Sequence, residues 1–576
     1  MFNEYKKFYG FLLKYKLRYG LFLVFLVVMS VTESVQPYFY KLFVDAVTNP
    51  NSGTVFVVLA WYFVVRISHN ISTSLAHWSG DTVLLPSSRD ARISVVKKIQ
   101  DLDMAFHLSK STGSLISNIK RGDSAFFDTF ENIHFGIIRI LVSLVVMAFA
   151  FNQISPWFVV VSLFTFFANI FVAKSLIFRN LKTRQEFNDE EDKLSALITD
   201  NLLNYETVKL FAKEKREEKR LKDSFVVWLS KLWAYSNSFR ALEIVLGTLG
   251  NISFFILLFV TVKKTLAGIY STGDFILVIG FTSAFYSRFF DFVRRMRSII
   301  KNQADLKKYF GILENETLVK DPTNPVRLKE VEGEIEFIDV TFSYPDGKKG
   351  ALKNFGLKIR AGQSVALVGE SGAGKTTVAK LLMRFYDTSG GRITIDGVDL
   401  KDMEKSYLRS LIGVVPQDPI LFNNTIGFNI GYGVDDAKQN QIEAAAKMAN
   451  LDKFIQGLPK KYDTEVGERG VKLSGGQKQR LAIARVMLAN PKIIIFDEAT
   501  SQLDSETEAK IQEVFWKAAQ NKTTIIIAHR LSTVMRADKI VVIEKGTVIE
   551  EGNHKILTQN PESVYARYWN VQSQKY

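Results

Sequence analysis

Gly369-Glu370-Ser371-Gly372-Ala373-Gly374-Lys375-Thr376-Thr377 follows the apolar stretch 364–368 and opens a helical stretch, 377–385. Glycines between a buried strand and a helix let backbone N–H groups close around a phosphate, and the helix dipole favours that anion. Lys375 is placed to charge-match the β and γ phosphates of a nucleotide, and Thr376 offers a hydroxyl to Mg2+. The stretch therefore predicts an α/β P-loop domain, without separating kinases, GTPases and ATPases. Two further stretches narrow the chemistry. Ile493-Ile494-Ile495-Phe496 reads as a buried parallel strand that ends in Asp497 and Glu498. Asp497 would hold Mg2+ through water, and Glu498 would act as general base on the attacking water. Leu473-Ser474-Gly475-Gly476-Gln477 precedes the helical stretch 478–489. It reads either as an ordinary serine N-cap or as a second γ-phosphate receptor built from a hydroxyl and bare glycine amides. One P-loop does not need a second receptor, so this one would serve a nucleotide held by another subunit.

Working outward, 576 residues exceed what one hydrophobic core organises, so a multidomain chain is expected. The chain is 47% hydrophobic. That is rich for a soluble enzyme, and the mean hydropathy of +0.05 is too polar for a chain lying wholly in a bilayer. Apolar stretches long enough to cross as helices fall at 19–40, 55–74, 133–150, 157–178, 242–262 and 275–292. The connections 80–132 and 179–240 are long and rich in Lys and Arg, whereas 48–54 and 151–156 are short and uncharged. The positive-inside rule makes the long ones cytoplasmic, with Lys263 and Lys264 in the last outer connection as a misfit that snorkelling accommodates. Lys6, Lys7, Lys14, Lys16 and Arg18, with no Ala-x-Ala cleavage site, mark a cytoplasmic N-terminal flank and not a removable signal. The net charge of +15 is spread beside apolar segments, which points to an anionic membrane surface and away from nucleic acid. Without cysteine there is no disulfide, thiolate metal site or cysteine nucleophile. The expected division is an all-α six-helix transmembrane domain over 1–320, a Pro-containing linker over 321–330, and an α/β P-loop ATPase domain over 331–576.

The order P-loop, Gln417, Leu-Ser-Gly-Gly-Gln, Asp497-Glu498 and His529 resembles the nucleotide-binding domain of ABC transporters. The segment 464–470 resembles one that exporters place before the signature. In the membrane half, 106–113 and 204–209 look like the two coupling elbows of six-helix exporters, the second being similar to the heavy-metal and glutathione-conjugate branch. The resemblance implies that Tyr344 stacks on adenine and that Gln417 touches Mg2+ and the elbows. It also implies that His529 reads the γ-phosphate and that Ser474, Gly475, Gly476 and Gln477 complete a partner's site. It implies an ATP-driven half-transporter working as a homodimer in a membrane, with ATP and Mg2+ bound at two composite sites. An amphipathic, lipidic or conjugated small molecule would be exported by alternating access. The location implied is a prokaryotic inner membrane with the ATPase domain and N-terminus cytoplasmic. Import through the same fold, or an ATP-gated channel or regulator, are the alternatives. The chain departs from the family at Gln502, where alanine is usual, and 242–262 lacks the Asn and Gln pattern of the glutathione-linked branch.

Glu33, Arg66, His69, Arg139, Asn169, Glu243 and Arg288 fall within or at the edges of the apolar segments. Charges there face a bundle interior or water. They read either as the wall of a cavity for an amphipathic or anionic substrate, or as internal ion pairs.

Overall fold

The computed structural model describes residues 3–48, 52–110, 112–345, 350–497, 505–528 and 531–573. The chain forms two compact units, one of Met1–Leu102 with Lys110–Asn315 and one of Asp103–Ser109 with Glu316–Tyr576.

Among the described residues of the first unit, six helices are long and apolar enough to cross a membrane: Asn3–Thr48, Thr54–Asp101, Thr112–Asn152, Pro156–Leu203, Glu214–Leu266 and Thr272–Glu314. Each contains one of the six stretches expected from the sequence. A 48-residue helix is roughly 70 Å long, more than twice the hydrocarbon thickness, so these helices continue well beyond a bilayer. The fourth span shows how they are oriented. Ser162, Thr165, Asn169 and Ala173 are buried, whereas Phe164, Phe167 and Phe171 are 63–80% exposed. Small and polar residues face the bundle and large apolar ones face outward, the arrangement that lipid as solvent favours. Thr165 and Ser253 exchange a 2.6 Å hydrogen bond between the fourth and fifth spans. Lys263 and Lys264 end the helix Glu214–Leu266, where cations complement the C-terminal dipole.

The second unit is α/β, and its strands are β1 (Ile335–Phe342), β2 (Leu352–Ile359), β3 (Ser364–Val368), β4 (Gly390–Ile395), β5 (Val398–Asp399), β6 (Ile412–Val415), β7 (Ile493–Asp497), β8 (Thr523–Ile527), β9 (Lys539–Glu544) and β10 (Thr547–Gly552). They build an antiparallel sheet in the order β2-β1-β4-β5 and a six-stranded sheet in the order β10-β9-β3-β8-β7-β6. In the larger sheet only β10 runs antiparallel to its neighbour. Its central strands alternate between two cores. Val365, Leu367, Ile493, Ile495, Ile525 and Ile527 enter one apolar cluster. Ala366, Val368, Ile494, Phe496 and Ile526 enter the other. Burial on both faces explains the unbroken Ile and Val runs.

Residues at and beside the expected linker, 321–330, hydrogen-bond to this unit. Lys405 N–H donates to Asp321 Oδ1 at 2.8 Å, Val326 N–H to Asp402 O at 2.8 Å, and Arg384 Nη2 to Lys320 O at 2.9 Å. Asp103 accepts from the N–H groups of Leu318 and Val319, and Met104 and Ala105 pack on the apolar cluster around β1 and β2.

Candidate functional site

β3 ends in Val368, and the loop that follows closes on itself. Gly369 has φ +153°, and a Cβ there would sit 2.2 Å from Ile543 O. Gly374 has φ +112° and would carry a Cβ 2.8 Å from Ala351 O. Only glycine fits either position. Lys375 opens the helix Lys375–Leu382 and is 6% exposed. Its Nζ donates to Gly369 O at 2.7 Å and Glu370 O at 2.9 Å, which holds the ammonium inside the ring of the loop. Glu370, Ser371, Gly372 and Thr376 are solvent-facing or nearly so, while Ala373 and Thr377 are buried.

The sheet register gathers the remaining residues at one edge. Leu367 of β3 and Asp497 of β7 both pair with Ile527 of β8, so the three occupy one row across the sheet. Asp497 thus lies two strands, about 10 Å, from the strand that feeds the P-loop. Val415 of β6 pairs with Phe496, which carries Gln417 to the same carboxyl edge. Crevices outside the carboxyl ends of parallel strands are where such sheets bind ligands. Glu498 and His529 follow β7 and β8 directly and lie outside the described residues, as does Gln502.

Tyr344 sits beside the loop. Its hydroxyl shares a 3.1 Å hydrogen bond with Thr377 Oγ1. Phe342 and Tyr386 meet its ring edge-on at 5.0 and 5.3 Å, and Lys380 lies 5.7 Å from its centroid. The ring is half-buried and held in one orientation, a fixed platform of the kind a base stacks on.

Ser474 caps the helix Gly475–Ala489 in a capping box: Gln477 N–H donates to Ser474 Oγ at 3.3 Å, and Ser474 N–H to Gln477 Oε1 at 2.8 Å. Ser474 and Gly475 are exposed and Gly476 is buried. This helix packs through Leu481, Ile483 and Ala484 into one core, while the P-loop helix packs through Val378, Leu381 and Leu382 into the other. The two phosphate receptors of one chain therefore stand on opposite faces of the six-stranded sheet. Gln479, not singled out from the sequence, is 5% exposed and donates to Gln417 O at 2.7 Å and Pro416 O at 3.3 Å. It ties the Gln417 loop to the signature helix. Its spacing two residues after Gln477 was the only signal available in the sequence. Burial pulls the Arg480 guanidinium below its ordinary pKa, and its Nη1 donates to Asn450 O at 2.9 Å.

Hard oxygen donors at the sheet edge, the hydroxyl of Thr376, the carboxylate of Asp497 and the carboxamide of Gln417, suit Mg2+. The glycine-lined loop with its central ammonium suits a polyphosphate.

In the membrane unit, internal pairing accounts for three of the polar residues. Arg139 binds Glu33 through both Nε, at 2.7 Å, and Nη2, and Arg288 Nη2 lies 3.4 Å from the same carboxylate. Asn169 donates to Thr165 O at 2.9 Å on its own helix. Glu243 is exposed.

Comparison with known proteins agrees with this layout. Residues 352–501 match the family described as ABC transporter, and residues 19–289 match the ABC transporter transmembrane region. The chain is 35% identical to the ATM1-type heavy metal exporter of Novosphingobium aromaticivorans, over 93% of this chain and 89% of that one. It is 38% identical to human ATP-binding cassette sub-family B member 6 over 84% of its length, but spans only 58% of that protein. A solved structure of a bacterial Atm1-family ABC exporter with ATP bound superposes with a TM-score of 0.87 at 33% identity, covering 97% of this chain and 98% of that one. The chain accordingly belongs to the ABC transporter family, with a six-helix transmembrane domain and an ATP-binding domain in one polypeptide, in the fold of the bacterial Atm1-family exporter.

Proposed function

We propose that the chain is an ATP-driven exporter that works as a pair of identical subunits, with each ATP held between the P-loop of one and the signature of the other. The observation that carries this reading is the placement of the two receptors on opposite faces of one sheet, where a single chain cannot close both on one γ-phosphate. A second copy related by twofold symmetry supplies the missing half to each site. Bound ATP supplies a phosphoanhydride whose cleavage releases the closed pair. Within each site Lys375 neutralises phosphate charge, Thr376, Asp497 and Gln417 hold Mg2+, Tyr344 supports the base, Glu498 takes the proton of the attacking water, and His529 senses the γ-phosphate. Closure with ATP and reopening after hydrolysis alternate the access of the membrane domain. The second elbow also favours a partner. Leu203, Tyr205, Leu210 and Phe211 in and beside the helix Tyr205–Leu210 are 61–80% exposed, an apolar surface that needs cover.

The ATPase domain and N-terminus face the cytoplasm in this reading, and the host membrane is a prokaryotic inner membrane. The names of relatives mention heavy metals and, for a zebrafish protein 33% identical, iron-sulfur clusters. This chain has no cysteine, and no three His, Asp or Glu side chains gather as metal ligands among the described residues. A metal would therefore travel inside an organic conjugate or complex, in keeping with an amphipathic or conjugated substrate.

The test is subunit mixing. Lys375→Ala in one subunit and Ser474→Arg in its partner put both lesions in one composite site and leave the other site intact. Mixed dimers purified through two different tags should recover measurable ATP hydrolysis, although each variant alone is inactive. No recovery counts against the shared site. Substrate uptake into inverted vesicles separates export from import.

A further inference from the structure

β9 pairs with β3, the strand that feeds the P-loop, and runs on into a hairpin with β10. Thr547 pairs with Glu544, so the turn holds only Lys545 and Gly546, with φ +50° and +84°. A two-residue hairpin with both central residues at positive φ is the type I′ turn, which suits the twist of the strands it joins. The tip is lopsided, with Lys545 exposed to solvent and Gly546 buried. Gly546 is wedged between the P-loop and the start of β2. Its N–H donates to Ala373 O at 3.0 Å, and its carbonyl accepts from Lys353 N–H at 3.0 Å. A Cβ on Gly546 would fall 2.7 Å from Ala351 O and 3.0 Å from Leu352 Cα, backbone atoms that no side-chain rotation can clear. The same hairpin closes on Gly369, the first residue of the loop, through Ile543 O.

Ala373 C=O and Gly374 N–H belong to one peptide unit, and a trans peptide points them to opposite sides. With Ala373 O bound to the hairpin, Gly374 N–H turns away from it, toward the inside of the loop. Ala373 N–H donates to Glu370 O at 3.2 Å, and Glu370 O also accepts from Lys375 Nζ, so the peptide is held from both ends. A donor aimed in advance needs no reorganisation when an anion arrives. We propose that Gly546, which lies outside the P-loop, is a positioning residue for nucleotide binding: its N–H locks the Ala373–Gly374 peptide so that Gly374 N–H meets a phosphate oxygen of ATP or ADP. The inference rests on the reading of the P-loop as the polyphosphate receptor and adds the β9–β10 hairpin to that site.

The experiment uses the full chain in nanodiscs with Mg2+. Gly546→Ala forces the tip off the backbone of β2 and withdraws its N–H from Ala373. Dissociation constants of ATP and ADP, read by displacement of a fluorescent ATP analogue, should both rise about tenfold, near the lower end for a hydrogen bond to a charged group. Turnover at saturating ATP should stay within about twofold of the parent, because the donor serves bound nucleotide and transition state alike. Lys545→Asn keeps Gly546 N–H and places a residue tolerant of positive φ in the turn, so it should leave both constants at the parental value. A lower thermal midpoint with unchanged dissociation constants in Gly546→Ala overturns the proposal, since the glycine would then serve stability alone. An equal rise in Lys545→Asn overturns it too. Where Gly546→Ala does not fold, hydrogen exchange of the parent decides: saturating ADP should slow exchange over 545–552 by about threefold or more, and unchanged exchange overturns the proposal. A parent that binds neither nucleotide overturns the P-loop reading itself, whereas equal binding by parent and Gly546→Ala overturns only the positioning role.

Discussion

Thr377→Val tests whether the Tyr344 platform is held by the P-loop helix. The substitution removes the hydroxyl that shares a 3.1 Å hydrogen bond with Tyr344 and keeps the β-branched shape of a buried side chain. One neutral hydrogen bond contributes about 0.5–1.5 kcal/mol net, which corresponds to a rise of roughly 2- to 13-fold in the ATP dissociation constant if the bond serves only to orient the ring. Tyr344→Phe removes the same bond from the other side and keeps the ring, so its effect should be of equal size. Tyr344→Ala also removes the stack and should cost about 1–3 kcal/mol, up to roughly 160-fold. The decisive variant is the double Thr377→Val/Tyr344→Phe, in which both partners of the bond are gone. Its loss should match that of either single variant, a coupling of about 1 kcal/mol in a double-mutant cycle. Equilibrium binding of a fluorescent ATP analogue to full-length protein supplies the four constants. Additivity within about 0.3 kcal/mol would refute the reasoning, because the hydroxyls would then act independently of one another.

Three other expectations can be checked alongside. Glu498→Gln should lower ATP turnover by about 10² or more while leaving ATP binding intact, and hydrolysis at the parental rate would reassign the base. A Cβ added at Gly122 falls 2.3–2.5 Å from the ring and Cβ of Tyr309, so Gly122→Ala should destabilise the membrane unit by about 1–3 kcal/mol, seen as a lower thermal midpoint in detergent; an unchanged midpoint would mean that the helices move apart freely. His554 shares a 2.8 Å hydrogen bond with the buried Tyr565 hydroxyl, and burial holds its pKa below the ordinary value. A lowered folded-state pKa makes the contribution full above about pH 6.5 and lost as pH falls from there through the folded value, so the thermal midpoint should drop on acidification and drop less in His554→Gln; parallel profiles would exclude His554 as the cause.

The P-loop, the acidic strand end and the six spans were legible because each is written in consecutive residues: glycine spacing, an unbroken apolar run, twenty apolar residues. The row that aligns Leu367, Ile527 and Asp497 was legible only in outline, since strand order depends on residues far apart in sequence. The Glu33–Arg139–Arg288 cluster joins residues 106 to 255 positions apart, and no local pattern distinguishes that pairing from an open polar wall. Glu33 and Arg139 are paired with each other, and Arg66 lines a cavity. The expected linker 321–330 was read from its prolines, whereas the hydrogen bonds of Lys405 N–H to Asp321 and of Val326 N–H to Asp402 O join residues far apart in sequence and are not encoded in composition.

The chain passes between its two units three times, at 102/103, 109/110 and 315/316, and Asp103 fastens the first of these passages to residues 318 and 319 just beyond the last. Stretches that lie more than 200 residues apart in sequence thus leave the membrane unit and are at once pinned to each other by one carboxylate, so that within the second unit the chain at 103 and the chain at 318–319 behave as a single piece of backbone.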